Sequence, residues 1–151
     1  TVKKALEEAW SDMLKRSTKD QRQEVGFWIY YDPVKKQYYI GKKRYGIAVK
    51  NDGKARGNIS LGDKSLSVNG VPATAKVVAS FHTHTPMTEI KGMKRKVGPS
   101  KEDKGNADKN RIPIIVYDYI GTKDPRTNDY YVIGGHKVSD PKKMYIYQPK
   151  K

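Results

Sequence analysis

The order of helical and strand-like segments along this 151-residue chain predicts an α+β fold, in which a mixed β-sheet is flanked by helices. A helical repeat comes first, several strand-like segments follow, and a second helix with an N-cap pattern separates them from later strands. A chain of this length suits one domain with one hydrophobic core. We therefore interpret residues 1–151 as a single domain, with a helix at about 2–16 and its main body at about 24–148.

The first helix is predicted by apolar residues at alternating spacings of three and four: Val2, Ala5, Leu6, Ala9, Trp10, Met13 and Leu14. This spacing is typical of an amphipathic helix with one face turned toward a core. The pattern stops in polar residues between Arg16 and Lys19, where we expect the helix to end.

The first strands are predicted from residue 25 onward, where β-branched and aromatic residues dominate. We expect strands at Val25–Tyr31 and Gln37–Ile40, joined by a turn at Asp32-Pro33, and a third at Tyr45–Val49. Residues 54–69 contain glycines and serines, and we expect them to be irregular with one short strand at most.

The second half begins with the apolar run Ala75–Phe81, which predicts a buried strand leading directly into His82-Thr83-His84. Residues 85–99 are polar and basic and are expected to form a surface loop. Ser100-Lys-Glu-Asp103 has the pattern of an N-cap followed by an acidic first turn, which predicts a helix that ends by Asn110.

The last predicted strands are Pro113–Ile120, Tyr130–Ile133, expected to pair with it, and Lys143–Tyr147. No apolar run in the sequence is long enough to cross a bilayer. The chain starts with Thr, which indicates a segment of a longer polypeptide.

Composition restricts the chemistry that the chain can perform. It contains no cysteine, which excludes thiol nucleophiles and thiolate metal ligands, and it has three histidines. Any metal site must therefore use imidazole and carboxylate groups. The formal net charge is +15, which favours anionic partners such as nucleic acid, an acidic protein or anionic lipid, or serves mainly to keep the protein soluble.

His82 and His84 are the strongest candidates for metal ligands. Residues two apart in an extended strand point to the same face, so both imidazoles can approach one ion. Asp103, in the first turn of the next helix, is the candidate third ligand. Two histidines, a carboxylate and a water form a common open zinc site. The sequence therefore predicts zinc as the cofactor.

A resemblance to a known family supports this assignment. The runs A-S-F-H82-T-H84-T-P and G-P-S100-K-E-D103 resemble the JAMM motif of JAB/MPN metalloproteases, in which a His-x-His-Pro sequence is followed by Ser-x-x-Asp. Glu24, in Q-E24-V-G-F-W-I-Y, falls where the family has a glutamate on an earlier strand, and the final M-Y-I-Y-Q-P is similar to the family's closing strand.

The resemblance implies a JAB/MPN architecture, which is cytidine-deaminase-like, and a catalytic core at about 24–148. It implies that His82, His84 and Asp103 bind zinc and that Glu24 is the general acid and base. It also implies that Ser100 hydrogen-bonds the developing oxyanion or the bound substrate carbonyl. The implied activity is that of a peptidase or isopeptidase, and its implied substrate is a protein or peptide.

Two features differ from the family motif. The proline follows Thr85 instead of the second histidine, and the spacer before Ser100 is lengthened by a basic M-K-R-K segment at 93–96. These features are most similar to JAB-like toxin domains of bacterial polymorphic toxins and secretion-system effectors. That similarity implies a secreted or delivered effector, opposed by an acidic immunity protein.

Other polar residues are weaker candidates. Asp32 and Glu89 compete with Glu24 for the role of the base, and Asp108 is a substitute ligand should Asp103 face away. Asp118 is expected to face solvent, with a place beside the metal as the alternative. His136 is expected at an exposed hairpin turn, and Glu102 is expected to complement the helix dipole.

Two other functions remain open on the sequence alone. A metal-dependent nuclease would use the same ligands and would explain the positive charge directly. A non-catalytic basic binding module would use the charge to hold an acidic partner without a metal.

Overall fold

The structure is a computed structural model that describes residues 2–17, 21–50, 58–62, 70–85, 89–90, 93–94, 98–119 and 142–151. Two helices lie in these residues: α1 (Val2–Arg16) and α2 (Lys101–Asn110). Their strands are β1 (Gln21–Arg22), β2 (Val25–Asp32), β3 (Gln37–Ile40), β4 (Arg44–Tyr45), β5 (Val49–Lys50), β6 (Lys76–Thr83), β7 (Glu89–Ile90), β8 (Met93–Lys94), β9 (Ile114–Tyr119) and β10 (Lys142–Tyr147).

The main sheet of the described residues has six strands and is open and mixed. Five of them lie in the order β10-β9-β6-β2-β3, and β4 pairs with the beginning of β2. The β6–β9 pair is parallel, and the other pairs are antiparallel. The connection between β6 and β9 contains α2, as a parallel crossover requires. The α+β prediction is confirmed, with a mixed sheet and two helices.

Helix α1 covers one face of this sheet. Leu6, Ala9, Trp10 and Met13 are buried on it and pack with Phe27, Phe81 and Tyr117 from three adjacent strands, among others. Phe81 lies edge-on to Tyr117, with ring centroids 5.3 Å apart. The predicted bounds of this helix are confirmed. Its buried residues all belong to the predicted apolar stripe.

Helix α2 lies on the opposite face. Its buried Ala107 packs with Ile114 and Val116, whereas Tyr117, the next residue of β9, belongs to the α1 side. Successive residues of a strand point to opposite faces, so the two helices flank the sheet. The helix starts after Ser100, as predicted, and ends at Arg111 in the left-handed conformation.

Three expectations about the strands were wrong. The expected strand Tyr45–Val49 is two short strands, β4 and β5, because residues 46–48 between them lie outside the strands, with Gly46 buried and Ile47 N–H donating to Asn58 O at 3.0 Å. A Cβ at Gly46 would collide with that same carbonyl group. The expected loop at 85–99 contains the antiparallel pair β7–β8. Strand β6 extends to Thr83, so His82 lies within it and not beyond its end.

Some expectations lie outside the described residues. Tyr130–Ile133 and His136 are among them, as are most of residues 54–69. The assignment of residues 1–151 to one domain stays a prediction. None of the described helices has the length and apolar character needed to span a bilayer.

Candidate metal centre

His82 and His84 are held at the end of the central strand β6. His82 lies opposite Gly26 of β2 on one side and Val116 of β9 on the other. His84 follows the last residue of the strand, and its N–H donates to Tyr117 O at 2.9 Å. The alternation of the strand therefore turns both imidazoles to the face that α2 covers.

Asp103 is held by the first turn of α2. Its N–H donates to Ser100 Oγ at 3.1 Å, and its Oδ2 accepts from Ser100 N–H at 2.8 Å. These two bonds form a capping box, with Asp103 in the position where Glu or Gln is usual. The shorter aspartate side chain is thereby held in one orientation at the helix terminus, where the helix dipole favours its negative charge.

The three side chains meet. His82 Nε2 lies 3.3 Å from Asp103 Oδ1, and His84 Nε2 lies 3.1 Å from Asp103 Oδ2. One donor atom from each residue lies within 4.8 Å of the other two. The side chains are only 7 %, 10 % and 15 % exposed for His82, His84 and Asp103. The predicted convergence of these residues is confirmed.

The donor set and its dimensions fit zinc. Zinc takes His nitrogen and carboxylate oxygen at about 2.0–2.2 Å, so donors at two corners of its tetrahedron lie roughly 3.3 Å apart. The two histidine–aspartate distances, 3.3 and 3.1 Å, are close to that value. A cation between these atoms requires only small shifts. The group could therefore hold a metal ion.

The pKa values of the group favour an ionised Asp103 beside a protonated His84. Burial opposes ionisation of Asp103, but hydrogen bonds from His82 and His84 hold its pKa well below the usual range. Burial likewise disfavours the protonated form of His84, but hydrogen bonds with Asp103 and Asp118 raise its pKa to about 9. A metal ion would replace the proton as the positive charge that offsets the carboxylates.

Asp118 is a further part of the centre, and the expectation that it faces solvent was wrong. It is fully buried, and its Oδ2 lies 2.9 Å from His84 Nδ1 and accepts from Gly98 N–H at 3.0 Å. A carboxylate on Nδ1 leaves Nε2 to face Asp103 and a metal, as in carboxylate–histidine–zinc triads. A signal was present in the sequence, since β9 (I-I-V-Y-D-Y) is apolar enough to be buried on both faces.

Gly26 provides the room that His82 needs. A Cβ at this position would lie 2.5 Å from Phe81 O and 2.9 Å from His82 Cβ. Any larger residue would therefore push against the strand that carries both imidazoles. In the sequence, Gly26 stands out only as part of the family-like strand Q-E24-V-G-F-W-I-Y.

Glu24 lies beside the centre without belonging to the ligand group. Continuing the β2–β6 register by two residues beyond Gly26 and His82 places it opposite His84. It is half-buried, its charge helps to raise the pKa of His84, and its backbone carbonyl accepts from Gly46 N–H at 2.8 Å. Its assignment as the acid and base stays a prediction.

The weaker candidates have structural roles or lie outside the described residues. Asp32 is buried at the far end of β2, where it accepts from Thr74 and from the turn. Asp108 accepts from Tyr147 Oη at 3.0 Å and from Lys150 N–H at 2.8 Å. Glu102 is exposed in the first turn of α2. The side chains of Glu89 and His136 are outside the described part of the chain.

A cavity of about 270 Å³ opens beside the centre, and His82 and Asp103 form part of its wall. Trp28 of β2, residues 59–62 and one side of α2 line much of the rest. The indole N–H of Trp28 donates to Leu61 O at 3.2 Å, which ties residues 59–62 to the sheet at the rim of the cavity.

No protein-family model, curated protein or solved structure matches this chain.

Proposed function

We propose that this protein is a zinc-dependent peptidase or isopeptidase of the JAMM type. The observation that carries the proposal is the buried meeting of His82, His84 and Asp103, with His–Asp distances of 3.3 and 3.1 Å. Imidazole, imidazole and carboxylate are the protein ligands of catalytic zinc in several peptidases, with one position left for water or substrate.

The JAMM resemblance supports the reaction class. The residues that resemble the His-x-His and Ser-x-x-Asp elements come together despite the lengthened spacer, because the parallel β6–β9 pairing returns the chain across the face where both histidines lie. The JAB/MPN architecture is proposed on the same basis, from a mixed sheet with one helix on each face.

Each residue has a proposed task. Zinc at such a site activates water as a nucleophile at neutral pH. Glu24, beside His84, takes a proton from the attacking water and passes it to the leaving amine. Asp118 holds the His84 ring through Nδ1.

Ser100 has two proposed tasks that can be separated. Its Oγ accepts from Asp103 N–H, which leaves its own proton to donate to the substrate carbonyl oxygen. Ser100→Asp retains an N-cap acceptor but lacks that proton, whereas Ser100→Thr retains both. We expect both variants to stay folded, and turnover to fall about 100-fold only in the first. Equal turnover in the two variants would limit Ser100 to capping.

The first experiment measures metal content and turnover together. Elemental analysis should give one zinc per chain in the wild type and in Glu24→Gln, and much less in His82→Ala. Glu102→Gln is the matched control, because that carboxylate is exposed one residue from Asp103. Among the variants that bind zinc, only Glu24→Gln should fail to hydrolyse casein or lysine-linked diubiquitin. A fully active Glu24→Gln would remove this residue from the mechanism, and a zinc-free wild type would overturn the whole proposal.

A metal-dependent nuclease is the second candidate, favoured by the net charge of +15. Plasmid DNA, total RNA and polypeptide incubated with and without chelator distinguish the two enzymes, because only one substrate class should be cleaved in a chelator-sensitive way. A binding module without catalysis would cleave none of them, and its affinity for an acidic partner would fall steeply with salt.

The biological setting is also proposed from the resemblance. A toxin domain delivered as part of a bacterial effector would need an immunity protein in the producing cell. An acidic immunity protein would match the charge of this chain and would associate rapidly with it at low salt.

A further inference from the structure

The wall of the cavity beside the metal centre differs from the chain as a whole in its charged residues. The chain as a whole carries 31 Lys and Arg residues. Among the described residues, however, no lysine or arginine lines the cavity, and its only ionisable side chains are those of His82 and Asp103. The described lysine and arginine residues therefore lie outside the cavity wall.

The wall of the cavity combines apolar surface with amide groups. Trp28, Leu61 and Ile112 contribute apolar surface, and the floor includes buried Ala107. Asn106 and Asn110 also line it, four residues apart on one side of α2. Each asparagine amide can both donate and accept, so the pair matches the C=O and N–H groups of a peptide.

The size of the cavity restricts what it can hold. Pockets for drug-sized ligands have volumes of roughly 300–1,000 Å³, and this one, at about 270 Å³, is smaller. A single amino-acid residue, including a large one, fits this volume. The wall also lacks, among the described residues, the cationic groups that phosphate recognition uses.

We propose that this cavity binds one uncharged residue of a polypeptide substrate next to the scissile bond, and that Asn106 and Asn110 hydrogen-bond its amide groups. The proposal rests on the peptidase function proposed above and adds a substrate preference to it. His82 and Asp103 are in the cavity wall, so a residue held there has its peptide bond beside the candidate metal.

The two tryptophans of the chain provide a direct test. Trp28 lines the cavity, whereas Trp10 is a fully buried residue of α1 and serves as the internal reference. Their indole N–H signals can be followed in ¹⁵N–¹H spectra of the full chain during titration with Nα-acetylated amino-acid amides. The probes are the leucine, asparagine, aspartate and lysine compounds, with inorganic phosphate as the anion control.

The leucine and asparagine probes should move the Trp28 signal in a saturable way and leave the Trp10 signal in place. Asn106→Ala and Asn110→Ala should each raise the apparent dissociation constant about fivefold, which is the loss of one ordinary hydrogen bond. Lys109→Ala is the matched control, since Lys109 is exposed on the same helix and does not line the cavity. Alanine favours helix, so none of these changes should unfold α2.

Three results would overturn the proposal: no movement of the Trp28 signal with either neutral probe, equal movement with phosphate, or unchanged affinity in both asparagine variants. The titration is run on zinc-loaded and chelator-treated protein. Binding of neutral probes by a protein that takes up no zinc would support the cavity proposal and overturn the proposed peptidase function. Zinc-dependent hydrolysis without probe binding would support the peptidase function and overturn the cavity proposal.

Discussion

Asp118 joins parts of the site that are distant in sequence. One of its oxygens lies 2.9 Å from Nδ1 of His84 and 3.0 Å from the backbone nitrogen of Gly98, which precedes α2. The carboxylate therefore orients an imidazole and holds the approach to the helix that carries Asp103. A buried carboxylate is costly unless its oxygens are paired, and these contacts offset that cost.

Asp118→Asn should weaken zinc binding about 10- to 100-fold, because His84 loses the charged partner that orients its ring and makes its nitrogen more basic. Zinc affinity measured by competition with a chromogenic chelator checks this expectation. Asp108→Asn is the control, since Asp108 contacts Tyr147 and Lys150 instead. Equal affinity in the two variants would show that Asp118 serves folding alone.

Gly26 and Gly105 offer a matched pair of glycine substitutions. Gly26→Ala should lower the free energy of unfolding by about 1–3 kcal/mol, because the new methyl group meets Phe81 O and His82 Cβ. Gly105→Ala, within α2 and with nothing within 4 Å of the added Cβ, should instead stabilise by about 0.5–1 kcal/mol. Urea unfolding measures both, and zinc binding should decline only in the first variant. Unchanged zinc binding in Gly26→Ala would show that His82 has room to adjust.

At the level of elements, the β2–β3 hairpin depends on one carboxylate. Asp32 accepts from Val34 N–H at 2.9 Å and Lys35 N–H at 3.4 Å through Oδ1, and from Thr74 Oγ1 at 2.8 Å through Oδ2. Burial opposes its ionisation, but these hydrogen bonds and the charge of Lys35 hold its pKa below the usual 3.8. The hairpin is thereby tied to the turn that leads into β6.

The sign of the pH dependence follows from that lowered pKa. The folded state favours the ionised carboxylate, so its contribution to stability is complete above the unfolded-state value near 3.8 and is lost as pH falls through the folded-state pKa. Asp32→Asn should lower the urea midpoint at pH 7, and its difference from wild type should shrink below pH 3.8. Thr74→Ala, which removes one of three hydrogen bonds, should have a smaller effect. A difference that is the same at pH 3 and pH 7 would contradict the assignment.

Helix α2 contributes residues to both the candidate metal centre and the cavity. Its first turn presents Asp103 through the capping box with Ser100, and its later turns present the two asparagines to the cavity. One helix thus carries both a candidate metal ligand and part of the wall of the candidate substrate cavity. A change in the crossing of α2 over the sheet would move both together.

At the scale of the whole molecule, zinc binding should be linked to stability. A ligand that binds only the folded state, at 100 times its dissociation constant, adds about 2.7 kcal/mol. For a chain of this size, each added kcal/mol raises the melting temperature by about 2–4 °C. Thermal unfolding with zinc, and with magnesium as the control ion, checks this expectation. His84→Ala should show no zinc-dependent rise, and a rise equal to that of wild type would place the metal elsewhere.

Net charge and cavity chemistry point to different contacts. The +15 charge is summed over the whole chain, and under the proposed function it would favour acidic partners in a salt-dependent way. The cavity wall is uncharged apart from the candidate ligands among the described residues. A basic exterior is therefore compatible with a substrate residue that carries no charge.

Local patterns in the sequence determined the two helices, the five longer strands of the main sheet and the shared orientation of the two histidines, because each depends on residues a few positions apart. Spacing of two in a strand turned His82 and His84 to one face, and Ser100 and Asp103 form their capping box within a single helical turn. By contrast, the prediction of a single strand at Tyr45–Val49 failed for a non-local reason. Ile47, in the middle of that stretch, hydrogen-bonds to Asn58, which is distant in sequence.

Only the tertiary structure decided what lies around these residues. The parallel β6–β9 pairing brings Asp118, 34 positions from His84, onto its Nδ1 atom, and the β2–β6 register puts Gly26 opposite His82. The cavity between β2, α2 and residues 59–62 likewise depends on how three separate parts of the chain meet. Sheet order and register are set by burial over the whole domain, and no short stretch of sequence contains them.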